Sequence, residues 1–458
     1  MRKSEFRFVD LFSGIGGFHH ALAAPEFGGE CVLAVDIDEE CRKVYRATWP
    51  DMEDSQVQSD IRNLTLTAEG KDRPIEELAQ LVPDHDVLCA GFPCQPFSKS
   101  GAQLGDLDSA RGTLYFDIFQ IVRAKLPRFI ILENVRNLAG PRHTHTWESI
   151  IAGLRSLGYT VSSDPIVLSP HSLPPWLNGR PQSRDRVFIL AERSGPSGTL
   201  EGDLLVKRGS IEGWDTSNWN IEDYLDEDDS IEQIKSFQLR AEETAWLNAW
   251  QAFVQGIPED SLPGFPIWVD AFTGEPDIPA GTPKWKENFL RKNSDFYLRN
   301  KKFIQSWLRK SWIIGSGYRV ADFPASRRKF EWQARQSQPA RNDRDIWKLT
   351  IHLRPSGIRV RPATYLPALV AITQTSIIGS RRRRITPVEA GRLQGIPDHV
   401  FQIPGLSTAS AYKQAGNGVN VGVVQFVARA LFEKAGLNWG TSHQGDEKTV
   451  PHERESAA

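Results

Sequence analysis

Along the first 192 residues, short apolar runs alternate with longer segments whose apolar positions recur every three or four residues. The runs Phe6–Leu11, Cys31–Asp36, Val87–Ala90, Phe129–Leu132, Tyr159–Val167 and Arg186–Leu190 have the length and content of strands. Between them, Gly17–Ala24, Glu39–Thr48, Thr113–Lys125 and Thr146–Leu157 read as helices. This alternation predicts an α/β fold with a mostly parallel sheet covered on both faces. After about Arg193 the pattern stops, and a stretch rich in Gly, Pro and charge begins. Ten of the fourteen tryptophans fall between residues 194 and 360, so residues 194–362 are expected to form a smaller, irregular domain. Near its end, Trp347–Leu353 and Ile358–Arg361 predict two strands joined at Pro355-Ser356-Gly357. Helical order resumes at Thr386-Pro387-Val388-Glu389, a capping-box start, and again toward the end of Ala411–Ala435. The polar residues 440–458 are expected to be a disordered tail.

Composition narrows the class. The chain has 458 residues, 40% of them hydrophobic and 24% charged, which fits a globular protein of two or three domains. No apolar run approaches 18 residues and no secretory leader opens the chain, so a cytoplasmic protein without a membrane anchor is expected. Four cysteines, Cys31, Cys41, Cys89 and Cys94, make neither a disulfide framework nor a zinc pair, and no metal is expected. Cys31 and Cys89 lie inside apolar runs and read as small core residues. The formal charge of −2 conceals an uneven distribution. Residues 201–260 carry 4 basic and 15 acidic side chains, whereas residues 284–361 carry 20 basic and 6 acidic, followed by the run Arg381-Arg382-Arg383-Arg384.

Four motifs carry candidate chemistry. Asp10-Leu11-Phe12-Ser13-Gly14-Ile15-Gly16-Gly17-Phe18 closes the first strand, where glycines permit a tight turn beside a ligand. The second strand ends in Asp36, spaced to hold ribose hydroxyls, and Asp60-Ile61 follows a third short strand. This turn departs from the dinucleotide fingerprint and favours a nucleoside cofactor without phosphates, although a dinucleotide or a purely structural turn stays open. Gly91-Phe92-Pro93-Cys94-Gln95-Pro96-Phe97-Ser98 then presents Cys94 at the same sheet edge, stiffened by prolines. The Gly-, Ser- and Asp-rich stretch 99–112 after it, ending Arg111-Gly112, has the composition of a lid. Glu133-Asn134-Val135 places a carboxylate beside the thiol, and Gln182-Ser183-Arg184-Asp185-Arg186 places two arginines on one side of a strand.

In this order, these residues resemble the DNA (cytosine-5) methyltransferase family of bacterial restriction-modification type. Further matching blocks are Arg384–Glu389, Arg392-Leu393-Gln394-Gly395 and Gln414-Ala415-Gly416-Asn417-Gly418-Val419. The resemblance implies a Rossmann-like class I methyltransferase domain over 1–193, a target-recognition domain over 194–362, and a segment 363–439 that returns to the catalytic domain. It implies S-adenosyl-L-methionine as cofactor, bound by Phe12, Gly14, Gly16, Asp36, Ile37, Asp60, Ile61, Pro93, Asn417 and Val419. Cys94 is implied as the covalent nucleophile on carbon 6 of a flipped-out cytosine, with Glu133, Arg184 and Arg186 completing the catalytic set. Gln95, Ser98 and Arg111 are implied to touch double-stranded DNA. The family also implies a monomer whose restriction endonuclease, where there is one, acts separately. Gly418 stands where a serine or alanine is common, with little expected consequence. The acidic segment 221–232 is expected to be a solvated helix facing away from DNA.

Three other readings share some of these features. The same chemistry on transfer RNA goes with a smaller middle domain. A nucleic-acid-binding protein with a dead site would lack some of Cys94, Glu133 and the arginines. A nicotinamide oxidoreductase would leave Pro93-Cys94-Gln95 unexplained.

Overall fold

The structure is a computed structural model that describes residues 4–93, 113–162, 164–194, 211, 213–232, 234–369 and 375–439. Cys94, Gln95, Ser98, Arg111, the lid stretch and the polar tail lie outside the described residues.

Eight strands form the larger sheet. In chain order these are β1 (Phe6–Leu11), β2 (Gly29–Val35), β3 (Val57–Gln58), β4 (Val87–Gly91), β5 (Phe129–Val135), β6 (Tyr159–Val161), β7 (Ile166–Leu168) and, after the two-residue β8 (Gln182–Ser183), β9 (Arg186–Arg193). Their order is β3-β2-β1-β4-β5-β9-β6, with β7 also paired to β9. β1 to β5 are mutually parallel, and β9 alone runs against its neighbours β5, β6 and β7. The expected mostly parallel α/β sheet is therefore present. The single strand expected over Tyr159–Val167 is instead two, because the chain breaks between Val161 and Ile166 before pairing again with β9.

Alternation along each strand divides the core in two. Phe8, Cys89, Phe129 and Ile131 face one layer, while Val9, Leu88, Ala90, Ile130 and Leu132 face the other. The second layer is closed by α3 (Ile61–Thr65), α4 (Ile75–Leu81), α5 (Leu114–Lys125) and α6 (Thr144–Ser156). The first is closed by α1 (Gly17–Leu22) and α2 (Glu39–Thr48), and by three helices from the far end of the chain. Cys31, Cys41 and Cys89 are buried thiols in these layers.

The middle of the chain builds its own core. α7 (Ala241–Gly256), α8 (Lys284–Arg299) and α9 (Lys301–Arg309) pack on a six-stranded sheet. Its strands are β10 (Ile267–Trp268), β11 (Lys329–Trp332), β12 (Leu349–Arg354), β13 (Gly357–Pro362) and, after the short β14 (Leu366–Pro367), β15 (Ile377–Ile378) and β16 (Arg383–Arg384). The hairpin expected around Pro355-Ser356-Gly357 is β12–β13. Tryptophans supply bulk here while their indole N–H groups find acceptors: Trp250 donates to the Arg327 carbonyl at 3.0 Å and Trp307 to that of Ala249 at 2.8 Å.

The last helices are α10 (Pro387–Arg392), α11 (Thr408–Asn417) and α12 (Val421–Lys434). Thr386 and Glu389 form the predicted capping box, each side chain accepting from the other's backbone N–H at 3.2 and 2.7 Å.

The acidic stretch 221–232 is not a solvated helix. It is a chain of 3₁₀ turns, Ile221–Tyr224 and Asp228–Ser230, clasped to the arginine run. Glu222 and Glu227 hold Arg381, Asp228 holds Arg383, and Asp226 holds Arg392. Closely spaced like charges disfavour a helix, and here opposite charges supplied from residues 381–392 fix the turns. By the same token, much of the basic run is spent inside the protein.

Candidate active site

The strand order reverses at β1, whose neighbours are β2 and β4, so the loops after β1 and β4 part at the carboxyl edge of the sheet and leave a crevice. A cavity of about 480 Å³ fills it. The loop after β1 turns through left-handed positions at Phe12 (φ 58°) and Gly14 (φ 55°). Gly14 donates its N–H to Asp36 at 2.7 Å, and Asp36 also accepts from Asp38 N–H at 2.8 Å. A methyl group at Gly17 would lie 2.6 Å from Val419 Cγ1, so glycine there is what lets the C-terminal segment close against the loop.

One end of this cavity suits a nucleoside. Phe12, Gly14, Asp36, Ile37, Asp60, Ile61, Pro93, Asn417 and Val419 all line it. Gly16 does not. Its φ of 80° turns the chain into α1, and its α-carbon faces Trp49. The wall carries three carboxylates, Asp36, Asp38 and Asp60, and its one lysine, Lys413, is ion-paired to Asp38 at 2.6 Å. Such a wall suits a sulfonium-bearing nucleoside better than a pyrophosphate. Burial, reinforced by Asp36, pushes the Asp10 carboxyl well up beneath this loop.

The other end holds the catalytic candidates. Glu133, Arg184 and Arg186 meet there. Glu133 is on β5 and Arg186 begins β9, and their antiparallel pairing sets Arg186 Nε 2.9 Å from Glu133 Oε1. Burial raises the Glu133 pKa, and Arg186 and then Arg184 pull it only part of the way back. Arg184 is 2% exposed. Its Nη2 donates to the Gly418 carbonyl at 2.9 Å, whereas among the described residues its Nε and Nη1 have no partner. Burial, and then the like charge of Arg186, lower its pKa, yet a guanidinium remains charged at neutral pH.

Three contributions escaped the sequence reading. Asn134 donates to the Phe92 carbonyl at 2.8 Å and so ties the loop that leads to Cys94 onto the strand that carries Glu133. Its place between Glu133 and Val135 was the available signal. Gly418 acts through its carbonyl, which no side-chain preference could reveal. A short parallel pairing, Leu366 with Gln182 and Pro367 with Ser183, anchors the approach to Arg184 on the segment after β13.

The family model for C-5 cytosine-specific DNA methylase matches residues 6–433. The Type II methyltransferase M.AluI of Cellulosimicrobium cellulans is 39% identical, over 93% of this chain and 92% of its own. The Type II methyltransferase M.HhaI of Haemophilus parahaemolyticus is 26% identical, over 92% of this chain and 93% of its own. Among solved structures, that of the S. pombe Dnmt2 methyltransferase covers 94% of this chain and 99% of its own, with 18% identity and a TM-score of 0.47.

Proposed function

The chain belongs to the C-5 cytosine-specific DNA methylase family, and we propose that it methylates a cytosine swung out of a specific duplex sequence, through a covalent bond from Cys94. Its activity is S-adenosylmethionine-dependent DNA (cytosine-5) methylation, of the Type II restriction-modification kind. The observation that carries the finer reading is one cavity with two chemically distinct ends. An acid-lined end fits a cationic nucleoside, and the opposite end brings a carboxyl group whose pKa burial raises beside an arginine that, among the described residues, has unmet donors.

Carbon 5 of cytosine is a weak nucleophile because the ring is electron-poor. Addition of the Cys94 thiolate to carbon 6 makes carbon 5 enamine-like. Glu133 delivers a proton to ring nitrogen 3 as negative charge gathers there, which requires the raised pKa that burial gives it. Arg184 turns its open donors to the ring carbonyl oxygen, and Arg186 holds Glu133 in place. Phe12, Asp36, Ile37, Asp60 and Val419 would hold S-adenosylmethionine, which when bound would supply an electrophilic methyl group to carbon 5. Loss of the carbon-5 proton to water then expels the Cys94 thiolate, and nitrogen 3 returns its proton to Glu133 as the aromatic ring is restored. The base must leave the helix because stacking shields carbon 6.

Residues 194–362, together with β15 and β16 from the segment 363–439, act as the target-recognition domain beside the catalytic part, 1–193, to which the rest of that segment returns. Their basic side chains position the phosphates, and Gln95, Ser98 and Arg111 meet DNA beside the extruded base. The protein works as a cytoplasmic monomer, with any cognate endonuclease acting separately. Among the described residues, no helix is long and apolar enough to cross a membrane.

Expression in a methylation-free host, followed by sequencing of modified sites, tests the activity and gives the recognised word. Cys94→Ala is expected to abolish methyl incorporation while the protein still binds duplex DNA. Normal turnover by that variant would remove the covalent step.

A further inference from the structure

A second and larger groove, of about 980 Å³, adjoins the catalytic end of the site. Its wall includes Arg136, which follows the Glu133-Asn134-Val135 motif, and Asp185, which sits between the two catalytic arginines. Its floor is β7, whose Leu168 pairs with Arg186. The two cavities therefore share one strand end, and Ser169 in the groove wall accepts the Arg184 backbone N–H at 2.8 Å.

The chemistry of this groove is mixed in a particular way. Pro165, Val167 and Trp214 make apolar surface, while Ser172 and Thr216 add hydroxyls. Arg136, with its side chain 68% exposed, is bound to Asp185 at 2.7 Å. Arg361 stands nearby: it lies over the Tyr365 ring, which packs on His171, and His171 feels both Asp185 and Arg361. Apolar patches between hydroxyls and an exposed cation are what a chain of deoxyriboses and phosphates requires. An exposed ion pair of this kind contributes little, so a phosphate replaces its carboxylate at small cost and gains a charge-assisted bond.

We infer that this groove seats the sugar–phosphate backbone flanking the extruded cytosine, and that Asp185 occupies Arg136 as a phosphate stand-in until DNA displaces it. The inference rests on the reading that a base leaves the duplex to enter the adjoining cavity, for its own phosphates then have to pass this rim. Asp185 thereby makes binding selective for a strand that competes for Arg136, and keeps the cation oriented in the free protein.

The test uses a labelled duplex carrying the sequence found methylated in the host, titrated between about 50 and 200 mM salt. Arg136→Ala is expected to weaken binding several-fold and to flatten the slope of log affinity against log salt by about one. Arg136→Lys keeps that slope. Asp185→Asn strengthens binding, and this gain vanishes in the Arg136→Ala background. A slope unmoved by Arg136→Ala overturns the inference, as does a gain from Asp185→Asn that survives in the double variant, or a loss of affinity in Asp185→Asn. Failure of the unaltered protein to methylate DNA overturns the activity itself, whereas methylation with an unmoved slope overturns only the groove.

Discussion

Two buried arginines in this protein have opposite surroundings. Arg383 is fully buried and all five of its donors are engaged: Asp228 takes Nε, Glu389 takes both terminal nitrogens, and the Arg384 and Asp226 carbonyls take what is left. Carboxylate partners hold its pKa up although burial opposes them. Arg184 is as deeply placed, yet among the described residues a single carbonyl accepts from it, and burial drives its pKa down. One guanidinium is satisfied by the protein. The other has open hydrogen-bonding capacity inside a cavity, a costly arrangement that a substrate oxygen would relieve. A saturated buried charge marks architecture, and an unsaturated one marks a binding site.

The contrast can be broken in order of size. Arg383→Met leaves the buried Glu389 without its cation and the half-exposed Asp228 without its partner, and is expected to cost about 3–5 kcal/mol of stability, seen as a lower melting midpoint. Arg184→Met, by contrast, is expected to melt at the same temperature or higher, because it removes an uncompensated charge. Its methylation rate should fall on the order of 10²–10³-fold, the usual effect of losing one donor to a developing oxyanion. Equal loss of stability in both variants would erase the distinction.

The smallest effect concerns pH. Because burial raises the Glu133 pKa above its ordinary value in the folded chain, its stabilising contribution is complete below the unfolded pKa and disappears as pH rises through the folded one. The rate should decline over the same upper window as the proton leaves. Glu133→Gln is expected to be slower throughout, to lack that decline, and to melt slightly higher than the parent near neutral pH. A decline that persists in the glutamine variant would assign it to another group.

Much of the catalytic end was legible in the chain. Continuous apolar runs of strand length announced a sheet buried on both faces, and the residues that end those runs, Phe12, Asp36, Pro93 and Glu133, lie where strand ends converge. The middle was less so. Its aromatic density announced a core, but not that the core would take β15 and β16 from beyond residue 362. The acidic stretch 221–232 misled because charge runs usually face water, and their partners in residues 381–392 lie roughly 150 positions later.

Local order, the strand periodicity, the capping box at Thr386 and the chemical identity of each motif follow from neighbours in the chain, because they depend on backbone preferences and side-chain type alone. Which charges are spent and which stay open depends on distances between segments that sequence spacing does not encode. Arg184 and Arg383 are the same residue in similarly basic stretches. Only folding, by bringing two carboxylates to Arg383 and, among the described residues, a lone carbonyl to Arg184, makes the one a rivet and leaves the other with open donors.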